Sequence, residues 1–323
     1  MITIQQITDY LSENISDSVP KYILIKEIYK KAPSSLEYIN TYNDLKQSKW
    51  YLELVSEQWE NGSWGLFHGV STKTEKKQKY GCTEIALRRA NELSLSKDDP
   101  MMAKCIKIME RYVRGDETYP DYIEKHKDNG KGHLFCRPFM AAANINVFDP
   151  ENSVITPLRD VVAETMKTAF ANSSFDEAFL GQKVSEYHVP GISHPGIAYS
   201  AMLLKNSDCM DHTLQRKYID YIWNNKNGIY YVSSIPPADK QSLEDKLFDQ
   251  WLNTLELLNG FSLFPDLMIK DVLPHLLGEI ERLINGDVDL SHIKSGRYAD
   301  SWRDKTKRKA DMILRIARIL VKC

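Results

Sequence analysis

The chain has 323 residues, a formal charge of −2, and 42% apolar against 27% charged residues, which is the balance of a globular protein with a large core. Near-neutrality excludes a global electrostatic attraction to nucleic acid or anionic membrane, and five scattered cysteines (Cys82, Cys105, Cys136, Cys209, Cys323) with no CxxC pair speak against a disulfide framework. The N-terminus lacks the basic start and apolar middle of a signal peptide, and no apolar run is long enough to span a bilayer, so the expectation is a soluble cytoplasmic protein with no transmembrane segment.

Helical periodicity dominates the chain from end to end. An N-terminal stretch up to about Asp44 reads as a helical extension, and the apolar run "WYLELVSE" then leads into "QWENGSWG". Amphipathic rows follow in "CTEIALRRANELSL", in "TPLRDVVAETMKTAF", and in "DHTLQRKYIDYIW", where Asp211 has the place of an N-cap. "GIYYVSSI" is the only short candidate strand. "SLEDKLFDQWLNTLELLNG" aligns Leu247, Trp251, Leu255 and Leu258 and stops at Gly260, a C-cap signal. "PDLMIKDVLPHLLGEIERLING" contains Pro274, which predicts a kink. In "KRKADMILRIARILVKC", Ile313, Ile316, Ala317 and Leu320 share one face, with Arg315 and Arg318 on others. The expectation is a single all-α domain, 1–323, of about a dozen helices of ordinary length.

A weak repeat runs through this pattern. "NGSWG" (61–65), "NGIYY" (227–231) and "SGRYADSW" (295–302) each follow a helix, turn on glycine and an aromatic residue, and lead across a polar loop into another amphipathic helix. "KGHLFCRPFMAAANI" has the look of a degenerate fourth copy. Helix hairpins of this kind cannot bury their faces singly and must stack on neighbours.

Gln58, Gly62 and Trp64 form a Q-x-x-x-G-x-W string that resembles the QW repeat of squalene and oxidosqualene cyclases, related forms of which occur in the β-subunits of protein prenyltransferases. The resemblance implies an (α/α)6-type toroid in which inner helices line a central cavity that takes an apolar or isoprenoid ligand. It implies no particular reaction. The D-x-D-D acid of class II cyclases has no counterpart, since "SKDDP" (96–100) lacks the first aspartate, and there is no D-D-x-x-D. The aspartate and cysteine that hold zinc in prenyltransferases stand two apart, whereas Asp208 and Cys209 are adjacent. No cofactor and no metal are therefore expected.

Several constellations carry chemistry if the fold brings them together. In "YPDYIEKH", Asp121 and Glu124 lie on one face of a helix starting near Pro120, beside Lys125, and suit an acid–base pair; the alternative is a solvated helix start. His194, in the Pro/Gly-rich approach "YHVPGISHPGIAYSAMLL", is a candidate base or substrate contact, or else a histidine bonded to backbone. Cys209 and His212 stand one helical turn apart, but no second pair completes a metal site. Under the toroid reading, His68, Glu84, His133, Arg137, Asp249 and Trp251 fall at or near the starts of inner helices and are expected to line the cavity.

Three functions remain open from the sequence. The first is a terpenoid-cyclase-like or prenyltransferase-like protein. The second is another α/α-toroid enzyme, acting on sugars through a carboxylate pair such as Asp121/Glu124. The third is a non-catalytic binding toroid.

Overall fold

The computed structural model describes residues 2–69, 77–117, 131–172, 175–176, 194–286 and 288–321, without the side chains of 131–136 and 271. Among them the protein is all-α. The helices are α1 (Ile4–Asn14), α2 (Ser18–Ile23), α3 (Leu36–Lys46), α4 (Lys49–Glu57), α5 (Thr83–Glu92), α6 (Pro100–Arg114) and α7 (Lys131–Phe148). They continue as α8 (Thr156–Ala169), α9 (Ala198–Leu204), α10 (His212–Asn224), α11 (Phe248–Leu258), α12 (Phe264–Leu267), α13 (Leu273–Asn285) and α14 (Lys305–Leu320). No described helix is long and apolar enough to cross a membrane.

Local chemistry explains most boundaries. Thr3 and Gln6 close a reciprocal capping box on α1. Asp211 caps α10 by accepting from Leu214 N, as its place in the sequence predicts. α6 starts at Asp99-Pro100 and ends at Gly115 in the left-handed conformation. Pro274 stands in the first turn of α13, which follows α12 without a break through a π-helical turn over Met268–Val272, so the regular helical bonding is interrupted just before the proline. One expectation is corrected. "GIYYVSSI" is not a strand but a tight turn with isolated bridges, Ile229 to Ser233 and Ile197 to Tyr230.

The chain divides into two compact units: Met1–Glu53 with Glu92–Ser94 and Pro237–Cys323, and Leu54–Asn91 with Leu95–Pro236. In the first unit, α14 is the central helix, packed by α1, α11 and α13. Its buried face includes Ile313, Ile316, Ala317 and Leu320 as the periodicity requires, but Arg315 is buried there too, with its side chain only 1% exposed. Burying a guanidinium is costly unless it is paired and hydrogen-bonded. Arg315 meets this need with Asp249 Oδ1 at 2.6 Å, Glu256 Oε1 at 2.8 Å and Asn253 Oδ1 at 2.8 Å, all presented by α11. Burial pushes the Asp249 carboxyl up, but the Arg315 charge and the N–H groups of Lys294 and Ser295 outweigh it and hold it below the ordinary value. One turn on, Arg318 takes both oxygens of Glu27, at 2.7 and 2.8 Å.

The third glycine–aromatic turn lies in the same unit. Gly296 is left-handed at φ +70, and a Cβ there would stand 2.5 Å from Arg315 Cδ. Downstream, Asp311 Oδ2 accepts from Tyr298 N, Ala299 N and Trp302 Nε1 at 2.8, 2.8 and 2.6 Å, while Oδ1 is buried without a partner. Burial pushes this carboxyl up to about 7, against the pull of its three donors. Between the ordinary carboxylate value and about 7, the native state therefore holds a proton that the unfolded chain has released. The contribution is fully present below the ordinary value and is lost as pH rises to about 7, up to about 4 kcal/mol in all. Asp311→Asn keeps an oxygen for the three donors and removes the ionisation. Urea midpoints measured from pH 4 to pH 8 (about one unit apart) should fall with rising pH more steeply in the wild type than in the variant. Parallel profiles would contradict this account of Asp311.

In the second unit, α7 packs against α6 and α9, and α9 and α10 against α8. Ala141, Ala142 and Ala143 are fully buried in α7, so small side chains set its close approach to its neighbours. The first glycine–aromatic turn closes α4. Gln58 Nε2 donates to Gly62 O and to Met101 O, each at 2.9 Å, and so ties the turn to the start of α6. Gly62 is left-handed at φ +97, and a Cβ there would lie 2.6 Å from Lys104 O, so no other residue fits. Trp64 is fully buried, its indole N–H donating to Leu54 O at 2.8 Å.

Candidate functional site

Two junctions in the second unit place side chains at one point. The chain leaving the Gly62 turn runs beside the start of α5: Trp64 N donates to Thr83 Oγ1, Thr83 N to Leu66 O, and Glu84 N to Phe67 O. The chain leaving the Gly228 turn runs beside the start of α9 in the same way, with Ala198 N donating to Tyr230 O and Tyr230 N to Gly196 O. Leu66 bridges Cys82 and Tyr230 bridges Ile197, both in parallel sense. Each junction thereby fixes the first turn of a helix, and those two turns carry Glu84 and Tyr199.

The two side chains meet. Tyr199 Oη donates to Glu84 Oε1 at 2.7 Å, and His68 Nδ1 lies 2.5 Å from Glu84 Oε2 and 3.2 Å from Tyr199 Oη. Asn144, from α7, adds a contact to Glu84 Oε1 at 3.3 Å while also donating to Met140 O at 2.9 Å. Glu84 has a side chain 13% exposed, that of His68 is 31% exposed, and the group is thus sheltered but open to solvent on the histidine side. Aromatic rings surround it: Tyr231 is 5.8 Å from His68 and 5.6 Å from Tyr199, and Phe139 is 6.2 Å from Tyr199.

An arrangement of this kind can move a proton. Glu84 Oε2 faces Nδ1, and the tautomer that places the N–H there makes Nε2 the basic nitrogen, the relation by which a carboxylate orients a histidine base. Tyr199 and Asn144 present hydrogen to the same carboxylate, so the groups around Glu84 hold it as an acceptor.

The other expected site residues are distributed differently. His194 is also in this unit, where its Nδ1 accepts from Gly196 N at 3.0 Å and its ring packs with Phe175 and Tyr221. That is the backbone-bonded alternative for this residue. Arg137 is half-buried on α7, two turns before Asn144 and therefore on the same side of the helix. His133 is on α7 as well, but its side chain is outside the described residues, as are Asp121 and Glu124 altogether. Asp249 and Trp251 belong to the first unit. Asp249 is held by Arg315, and Trp251 is fully buried with its indole N–H on Pro237 O at 2.8 Å and its ring against Phe248 and His275. These contacts give both residues a packing role. Among the described residues, no group of three or more His, Cys, Asp or Glu side chains is placed to hold a metal ion.

Tyr199, Tyr231 and Asn144 were not expected at the site. One signal for Tyr199 exists in the sequence: "GCTEIA" (81–86) and "GIAYSA" (196–201) share glycine at the first position and alanine at the sixth, and put Glu84 and Tyr199 at the fourth. The bridges at Cys82 and Ile197 show that the two strings occupy equivalent places. No family model, curated protein or solved structure matches this chain, and its own geometry is what defines the site.

Proposed function

We propose that the helical hairpins close into an α/α toroid of the terpenoid-cyclase and prenyltransferase kind, and that the protein binds an apolar or isoprenoid ligand whose reacting end lies at Glu84, His68 and Tyr199. The observation that carries this reading is the 2.7 Å hydrogen bond from Tyr199 to Glu84. It joins the first turns of two helices that each pair with a glycine–aromatic junction, which is how a ring of hairpins delivers side chains to a common mouth. The QW-like string at Gln58–Trp64 supports the same architecture through its bonds to Gly62, Met101 and Leu54.

Apolar walls with a few convergent polar groups are the usual composition of a small-molecule site. Tyr199, Tyr231 and Phe139 supply such walls here. The polar end, a carboxyl beside an imidazole, suits removal of a proton or activation of a hydroxyl or water. Thermal unfolding in the presence of geranyl, farnesyl and geranylgeranyl diphosphate tests the reading. A ligand at a hundred times its Kd should stabilise the protein by about 2.7 kcal/mol. Neither stabilisation nor product with any of them would sink it.

A further inference from the structure

Tyr231 combines two properties that rarely occur together. Its backbone is left-handed at φ +74, a conformation that glycine or asparagine adopts readily and a bulky side chain does not. The turn that enforces it is closed by Ile229 N to Ser233 O at 3.0 Å, Ser233 N to Ile229 O at 2.9 Å and Val232 N to Ile229 O at 2.9 Å. Yet the residue is 54% exposed, so burial of the ring offsets little of the strain. What the conformation achieves is placement: the ring stands edge to face with both His68 and Tyr199, and in contact with Tyr230 at 4.2 Å between centroids. Strain of this kind collects where a side chain must be held for function.

We propose that Tyr231 is a positioning residue of the Glu84–His68–Tyr199 cluster, kept in a strained backbone so that its ring fixes the orientation of the His68 imidazole. The inference rests on the reading of that cluster as the working centre. It adds that the second glycine–aromatic turn serves the first junction directly, through a residue chosen against the preference of its own backbone. A glycine at 231 would suit the turn better and leave His68 with only its more distant edge contact to Tyr199, at 6.5 Å.

The full-length protein with Tyr231→Gly and Tyr231→Phe tests this without any ligand. Two quantities are read: the thermal midpoint, and the rate at which diethylpyrocarbonate modifies His68, followed by peptide mass spectrometry. Tyr231→Gly should melt at or above the wild type, because the strain is relieved, and its His68 should react several-fold faster. Tyr231→Phe should restore the wild-type rate, since the ring rather than the hydroxyl holds the imidazole. A folded Tyr231→Gly protein whose His68 reacts at the wild-type rate would overturn the proposal. So would a Tyr231→Gly protein that melts well below the wild type, because the turn would then favour tyrosine. A protein that ignores every prenyl diphosphate but meets these expectations would lose the proposed ligand and keep the positioning role.

Discussion

Replacing Trp64 by alanine is expected to lower stability by about 3–5 kcal/mol, the range for truncating a large buried aromatic. The side chain is fully buried, and its indole N–H ends on Leu54 O in the last turn of α4. Truncation therefore leaves a cavity and also strips a partner from a buried carbonyl near a helix end, where such groups already lack intrahelical partners. Trp64→Phe isolates the polar loss more closely, because it keeps most of the volume and leaves Leu54 O without its donor; its cost should be about 1–3 kcal/mol, that of an unsatisfied buried acceptor. Urea unfolding followed by far-ultraviolet circular dichroism measures both. An alanine variant as stable as the wild type would mean that the turn is not what holds α4 in place.

The second large effect is expected at Arg315. Arg315→Met should cost about 3–5 kcal/mol, because removing one partner of a buried pair leaves the other charge uncompensated. The stranded group is Asp249, whose side chain is 12% exposed; Glu256, at 34%, can turn to water. The pairing can be told from simple loss of packing by adding Asp249→Asn, which removes the uncompensated charge and still leaves an oxygen for the N–H groups of Lys294 and Ser295. The double variant should recover part of the loss. If Asp249→Asn makes Arg315→Met worse by its own full cost, the two residues are not coupled and the ion pair is not the source of the effect.

The helices and turns of this protein were legible in its sequence because they follow from short-range chemistry. Asp211 capping α10, the apolar face of α14 and the Gln58–Gly62–Trp64 turn each depend on residues within a few positions of one another. What was hidden depends on partners far along the chain. Arg315 reads as a surface residue by helical periodicity, and becomes a core residue only because α11 brings Asp249, Asn253 and Glu256 against it. Tyr231 reads as a strand former by residue type, and the hydrogen bonds around Ile229 override that preference.

The candidate site divides in the same way. His68 and Glu84 were expected at the start of an inner helix, and they meet at 2.5 Å because Glu84 N is bonded to Phe67 O, the residue before His68. Tyr199 lies 115 positions from Glu84, and no local pattern predicts that contact. Only comparison of "GCTEIA" with "GIAYSA" as copies of one junction brings the two together. Asp249 and Trp251 follow the same positional logic, yet the first unit engages them in an ion pair and in packing. Proximity to a helix start was thus a guide to where a side chain sits, not to whether its neighbours leave it for a ligand.

We propose that Glu84, His68 and Tyr199 together form the polar end of a site for an apolar or isoprenoid ligand, with Glu84 orienting the His68 imidazole. The most direct measurement is consumption of the prenyl diphosphates by wild-type protein and by Glu84→Gln, the variant first shown to be folded by its thermal midpoint. Turnover of at least one chain length is expected from the wild type, with a rate about 10²–10⁴-fold lower for Glu84→Gln, which takes from His68 the carboxylate that orients its imidazole as a base. Equal rates for the two folded proteins, or no turnover by the wild type of any chain length, would contradict it.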